Sequence, residues 1–172
     1  MTKEIITLCF RFILLILIQV LVLNKILFFG YMNPNLYILF IFLYPLKKER
    51  SAFLWISFLL GISIDFFSNS GGINAAATVF IAYIRLSTLK LILNKSDLDF
   101  KLFKLGDESL IKIVSFVTIL TLIHHFILFG LDYFSWKSIG IIFYKSITTS
   151  IFTIILSILS ILLFSRKKTA NF

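Results

Sequence analysis

Long stretches of apolar residues occupy most of the chain, and they constrain its fold more than any other feature. A helix needs about 20 predominantly apolar residues to cross a bilayer. Apolar residue types make up 59% of the 172 residues and charged types 15%, so the polar residues are too few to cover this apolar surface in water. The length allows about six to seven spans. We therefore expect an all-α, polytopic transmembrane helix bundle that forms a single integral membrane domain over residues 1–172.

The second of the six predicted spans is short. The spans cover residues 5–23, 36–46, 52–67, 73–93, 111–131 and 146–164. An eleven-residue helix rises only about 17 Å, against about 30 Å of hydrocarbon. We expect the second segment to borrow residues from 26–31, to tilt in a locally thin bilayer, or to pack as a short helix inside the bundle.

Lysine and arginine residues are distributed unevenly between the two sides of this six-span topology. Of the 17 basic residues, 14 fall on the side that holds both termini, and the opposite side has only Lys25, Lys137 and Lys145. Because cytoplasmic loops carry an excess of Lys and Arg, the pattern predicts that both termini are cytoplasmic. The same excess accounts for the net charge of +9, so no nucleic-acid partner is expected.

A stripe of small and polar residues runs along the third predicted span. Ser57, Gly61, Asp65 and Ser68 recur at spacings of four, four and three residues, so they share one helix face. Asp65 is the only acid within the predicted spans, and a carboxylate in a membrane is costly enough to suggest a function. We expect it either to reach interfacial water or accept N–H bonds from the following turn, or to form a buried pair or a partner contact.

The third and fourth predicted spans are joined by a turn that resembles a tight hairpin. Gly71 and Gly72 tolerate left-handed backbone, and Asn74 follows them at the start of the next helix. The Gly-Gly pair lacks the Lys-Ser/Thr end of a phosphate-binding loop. A second stripe, on the fourth span, consists of Ala75, Thr78, Ala82 and Arg85. The two stripes predict close packing of spans three and four.

Asp65 is expected at the outer end of span three, against the start of span four. The free N–H groups around Gly72 and Ala75 and the positive helix terminus can stabilise a carboxylate there. Lys145, at the outer end of span six, is a second candidate partner for Asp65. Arg85 is expected to emerge at the cytoplasmic end of span four.

The only two histidines, His124 and His125, are adjacent in the fifth predicted span. Neighbouring helical residues point about 100° apart, so the pair cannot chelate one metal by itself, and no Cys or carboxylate at suitable spacing completes a site. His125 shares a face with Thr118 and Thr121, which predicts an interior His125 and an interfacial His124. We expect a structural hydrogen-bonding role for His125, with a proton or ligand role as the alternative.

The last predicted span carries hydroxyl groups at alternating spacings of four and three residues. These residues are Ser146, Ser150, Thr153, Ser157 and Ser160. The pattern predicts a helix-packing seam, with a polar lining for a bound solute as the alternative. No serine has a base and an orienting acid nearby, and no paired carboxylates occur. We therefore expect no enzymatic activity, no cofactor and no metal.

About a sixth of the chain, residues 57–85, carries a further pattern. A G-x-x-x-D helix is followed by a glycine turn and by an A-Y-x-R helix end. The matching positions are Gly61, Asp65, Gly72, Asn74, Tyr83 and Arg85. Together with the length and the hydropathy, this pattern resembles the central signature of MreD, a family of bacterial rod-shape-determining membrane proteins.

The resemblance implies a small protein of five or six spans in the bacterial inner membrane. Such a protein is a noncatalytic subunit of the cell-elongation machinery, which assembles or regulates MreC and the peptidoglycan synthases. The implied partners are the bitopic protein MreC, actin-like MreB filaments, and RodA with its transpeptidase. Membrane lipid is a further expected partner because the chain is so apolar.

Two other functions are compatible with a small helix bundle. The substrate-binding subunit of an energy-coupling-factor vitamin transporter also has six spans, but such subunits often carry small-residue stripes on the first helix, whereas residues 5–23 contain no Ala or Gly. A small channel or proton-coupled carrier would use Asp65 and His125 as relay groups, but these two residues lie on separate predicted spans.

Overall fold

The protein is a bundle of helices, and five helices in the described part of the chain are long and apolar enough to span a membrane. The computed structural model describes residues 2–26, 33–46, 50–94 and 105–164, and no β-strand occurs in these ranges. The helices are α1 (Thr2–Leu17), α2 (Leu39–Leu43), α3 (Ser51–Ser68), α4 (Ile73–Leu93), α5 (Leu110–Tyr133) and α6 (Ile139–Phe164). Helix α1 continues through a π-helical turn, Ile18–Val22, and a 3-10 turn, Leu23–Lys25, while a 3-10 turn, Leu36–Ile38, leads into α2. The predicted class, a polytopic membrane helix bundle, is confirmed.

Contacts between helix ends determine the direction of each segment. The Asn24 amide donates to the Ser68 hydroxyl at 3.0 Å, so α1 and α3 end on the same side of the bundle. The short turn between α3 and α4 makes these two helices an antiparallel hairpin, and α5 packs on both α4 and α6. The chain between Lys25 and Ser51 must therefore return through the bundle to the side where α1 began.

The short second segment makes this return inside the protein. At one end, the Tyr37 hydroxyl donates to Asn74 Oδ1 at 2.9 Å, near the start of α4. At the other end, Arg85 of α4 donates to the Tyr44 carbonyl, and Arg85 comes eleven positions after Asn74, which corresponds to a rise of about 17 Å. The side chains of residues 37–42 are at most 4% exposed. Of the three arrangements expected for the second segment, the structure therefore shows the short helix packed inside the bundle.

With this internal segment the chain crosses the bundle six times, so the described chain begins and ends on the same side. Assignment of that side to the cytoplasm stays a prediction from the basic residues. The basic residues at positions 47–48, 95–104 and 166–168, on which that prediction partly depends, lie outside the described residues, as do residues 27–31.

Helices α3 and α4 approach each other at backbone distance. A Cβ atom placed on Gly61 would lie 2.4 Å from Ala75 Cα, so no residue with a side chain fits there without moving a helix. Ser57 and Thr78 are fully buried in the two predicted stripes. The predicted close packing of the third and fourth spans is confirmed, and the boundaries of α3, α4 and α5 lie within two residues of the predicted ones.

Helix α6 packs against α5 through the predicted hydroxyl seam. Ser146, Ser150, Thr153 and Ser157 are fully buried, and Ser160 is half-buried. The Ser146 hydroxyl donates to the His125 carbonyl at 3.2 Å. The helix begins at Ile139 rather than at the predicted Ser146, because apolar residues continue the helix through the less apolar Gly140, Tyr144 and Lys145.

Candidate functional site

The carboxylate of Asp65, near the end of α3, caps the start of α4. Left-handed backbone at Asn69 (φ 52°) ends α3, and left-handed backbone at Gly72 (φ 97°) precedes α4. Gly72 has no side chain with which to accept the first free N–H groups of α4. Asp65 accepts them instead, from the Asn74 N–H at 3.0 Å and from the Ala75 N–H at 2.8 Å. Asp65 thus acts as an N-cap supplied by the preceding helix, at the positive end of the α4 dipole.

Side chains of the turn complete the environment of this carboxylate, which is only 3% exposed. The Ser70 hydroxyl and the Asn74 amide both donate to Asp65 Oδ1, and the Ser70 N–H donates to the Asp65 backbone carbonyl at 3.2 Å. The predicted position of Asp65 against the start of α4 and its bonds to the following turn are confirmed, while the assignment of this end to the outer side stays a prediction. The Lys145 ammonium instead lies 5.1 Å from the centre of the Tyr133 ring.

The Asp65 site continues into the bundle through a chain of hydrogen bonds. Asn74 Oδ1 accepts from the Tyr37 hydroxyl, whose oxygen also lies 3.0 Å from His124 Nε2. His124 is fully buried, so the prediction of an interfacial His124 is wrong. Helix α5 has neighbours on two sides, and adjacent residues 100° apart can therefore both be interior.

His125 lies in a second part of the same buried region, as predicted. Its Nδ1 atom lies 2.9 Å from the Thr121 carbonyl, and its Nε2 atom lies 3.3 Å from the Asn35 amide nitrogen. The hydroxyl of Thr153, from α6, is 3.4 Å from the same Nε2 atom. His125 therefore joins α5, α6 and the chain that leads into α2.

Gln19, which sequence reasoning did not single out, is fully buried at the π-helical turn of the first span. Its amide donates to Asn24 Oδ1 at 2.9 Å and to the Pro34 carbonyl at 3.0 Å. Its side-chain oxygen Oε1 accepts from the Tyr37 backbone N–H, with 3.4 Å between the oxygen and the nitrogen. The available signal was its position, since a neutral polar residue within an apolar span requires a partner inside the protein.

Arg85 is a second buried charge, at the opposite end of the internal segment. Its guanidinium donates to the carbonyls of Phe42 and Tyr44, where α2 ends, and lies 5.2 Å from the centre of the Phe53 ring. It is 4% exposed, so the prediction that it emerges from the bundle is wrong. The free carbonyls at the end of a helix favour a cation. In the described ranges no carboxylate forms an ion pair with it.

The predicted site residues do not form one cluster. Ser57, Gly61, Asp65 and Asn74 lie together in the α3–α4 hairpin, while Arg85 and His125 lie elsewhere in the bundle interior. Gly71 is exposed in the turn, and Tyr83 is 65% exposed. No group of three metal-ligating side chains converges within residues 2–26, 33–46, 50–94 and 105–164.

The hydrogen-bonded groups are suited to holding helices together. One buried polar network links the ends of α3 and α4, the internal segment, the first span and α5, and it consists of Gln19, Tyr37, Asp65, Asn74 and His124. A separate contact joins His125 to the half-buried Asn35. In membrane proteins such interhelical bonds contribute about 0.6 kcal/mol each on average. No protein-family model, curated protein or solved structure gives a significant match to the chain.

Proposed function

We propose that the protein is a noncatalytic, multi-pass subunit of a bacterial cell-elongation complex in the inner membrane, similar to MreD. The observation that carries the proposal is the resemblance of residues 57–85 to the MreD signature. Three residues of that pattern have defined structural roles in the α3–α4 hairpin. Gly61 permits the helix contact, Asp65 caps α4, and Asn74 connects the cap to Tyr37.

The internal use of these polar groups indicates where a partner binds. The carboxylate of Asp65 accepts bonds from its own chain at both oxygens, so it is not presented on the surface. The surface that would face lipid is predominantly apolar. Exposed side chains such as Phe10, Phe66 and Leu163 lie on that surface. A single-pass protein of the MreC type can pack a helix against such a surface, and the proposed role is to assemble MreC with RodA, its transpeptidase and MreB.

Copurification tests this proposal most directly. The full chain carries a tag and is expressed with the MreC-type, RodA-type and transpeptidase proteins of the same bacterium, and with the ATPase module of a vitamin transporter as competitor. The expected result is capture of the MreC-type protein and loss of rod shape when the chain is depleted. Capture of the ATPase module together with solute accumulation would contradict the proposal and favour the transporter function.

Two further measurements bear on the same proposal. The purified chain is expected to show no hydrolytic or transferase activity on cell-wall precursors. Reporter fusions after Phe172 are expected to be cytoplasmic, since 14 of the 17 basic residues lie on that side of the topology. A reporter that is accessible from outside the cell would contradict the orientation.

A further inference from the structure

A pocket beside Arg85 has the chemistry of an anion site. It lies between α3, α4 and the residues that follow α2, and its wall includes Tyr44, Pro45, Arg50, Tyr83 and Arg85. Arg85 Nε is buried and has no hydrogen-bond partner among the described residues. A buried N–H group of a cation is costly when it is unpaired, so the Arg85 guanidinium keeps unused hydrogen-bonding capacity beside a pocket that this residue lines.

The position of the pocket along the helices corresponds to the membrane surface. In the antiparallel hairpin Gly61 lies against Ala75, and nearer the other end Phe53 lies against Arg85. Since α3 begins at Ser51, Arg85 is level with the first turn of α3.

Two exposed aromatic residues mark the same level. Trp55 is 68% exposed on α3, and Tyr83 is 65% exposed on α4. Trp and Tyr are enriched where lipid headgroups meet the hydrocarbon core. For a bilayer that α3 spans over Ser51–Ser68, this level corresponds to headgroup depth in one leaflet.

We propose that this pocket binds the phosphate group of an anionic phospholipid. Arg85 provides a donor inside the pocket, and the exposed Arg50 and the Tyr83 hydroxyl provide donors at its rim. None of the described residues that line the pocket is acidic. A guanidinium group matches the geometry of phosphate oxygens, and basic pockets between membrane helices bind anionic headgroups.

Lipid titration of the purified full chain tests this site. The thermal unfolding midpoint is measured in neutral detergent with added phosphatidylglycerol, phosphatidylcholine or inorganic phosphate. The double variant Arg50→Gln/Tyr83→Phe changes only the rim, so the bonds of Arg85 to α2 are kept. Lys145→Gln is the matched control, because it removes one positive charge near the opposite end of the bundle.

Phosphatidylglycerol is expected to raise the midpoint of the wild type and of Lys145→Gln at the same lipid concentration, and phosphatidylcholine to have a much smaller effect. The rim variant is expected to need about fivefold more phosphatidylglycerol, or more, for the same shift. Equal shifts from the two lipids, or an unchanged titration of the rim variant, would overturn the site. An equal shift from inorganic phosphate would overturn its assignment to a lipid.

Discussion

The two buried charges among the described residues are stabilised by the same physical means, but one site is closed and the other is open. At the Asp65 end, both carboxylate oxygens accept N–H groups from the start of α4. At the Arg85 end, the guanidinium donates to carbonyls at the end of α2, but its Nε atom stays unpaired among the described residues and a pocket lies beside it.

The difference separates a structural element from a binding element. The Asp65 carboxylate is buried and accepts bonds from its own chain at both oxygens, which makes Asp65 an internal clamp. A charge that carbonyls satisfy in part both anchors a segment and offers a donor to a ligand. Residues 57–85, on which the proposed function rests, include both Asp65 and Arg85, so one stretch of sequence contains both kinds of site.

Replacement of Gly61 by Ala is expected to separate α3 from α4, the helices that carry Asp65 and Arg85, and to have the largest effect on stability. The new methyl group would lie within 2.4 Å to 2.8 Å of the backbone of Asn74 and Ala75, which forces the helices apart and costs about 3 kcal/mol or more. Thermal unfolding in detergent measures the loss. Gly130→Ala is the control, because a Cβ atom there meets nothing within 4 Å, and an equal loss in both variants would contradict the close contact.

Substitution of Asp65 breaks only the closed end. Asp65→Leu leaves the N–H groups of Asn74 and Ala75 without their acceptor, and we expect a loss of roughly 2–3 kcal/mol. Asp65→Asn keeps one acceptor oxygen and is expected to lose less. Unfolding midpoints of the two variants check this order, and a loss from Asn that equals or exceeds the loss from Leu would contradict a hydrogen-bonding clamp.

Substitution of Arg85 tests the open end, with a smaller expected loss. Arg85→Met keeps the length of the stem but removes the donors to the Phe42 and Tyr44 carbonyls, and we expect a loss of about 1–2 kcal/mol. The effect is smaller than at Asp65 because an underbonded carbonyl is tolerated better than an orphaned N–H group. Unfolding in detergent without added lipid measures it, and a loss larger than that of Asp65→Leu would reverse the comparison.

Removal of the Tyr37 hydroxyl tests the hydrogen bonds between helices while both buried charges, Asp65 and Arg85, stay in place. Tyr37→Phe deletes the bond to Asn74 and the contact with His124, and we expect a loss of about 1 kcal/mol. The same unfolding assay measures it, with Tyr83→Phe as a control that removes an exposed hydroxyl. No difference between the two variants would show that the network does not stabilise the bundle.

The sequence was sufficient to predict features that depend on one helix or one turn. The spacing of Ser57, Gly61 and Asp65 predicted the α3–α4 contact, and the glycine turn predicted a cap for the carboxylate, since donor and acceptor are near in the chain. The rise of an eleven-residue helix, about 17 Å, also showed that the second segment is too short to cross the hydrocarbon core as an ordinary helix.

Features that depend on distant elements could not be predicted in this way. The face of His125 could be read from its own helix, but the burial of His124 required knowledge that α5 has neighbours on two sides. The burial of Arg85 depends on carbonyls more than 40 residues away. Gln19 could have been flagged as a buried polar group, but its partners come from the chain on either side of Asn33.

Capture of the MreC-type partner per folded molecule, compared between wild type and Asp65→Asn, tests most directly whether Asp65 is an internal clamp of the proposed assembly subunit. Folded chain is quantified by gel filtration in detergent, and captured partner is quantified in the same sample. The account predicts less folded Asp65→Asn protein but the same amount of partner per folded molecule. A lower ratio at normal abundance would make Asp65 a contact residue and contradict the clamp, and no capture by the wild type would contradict the proposed function.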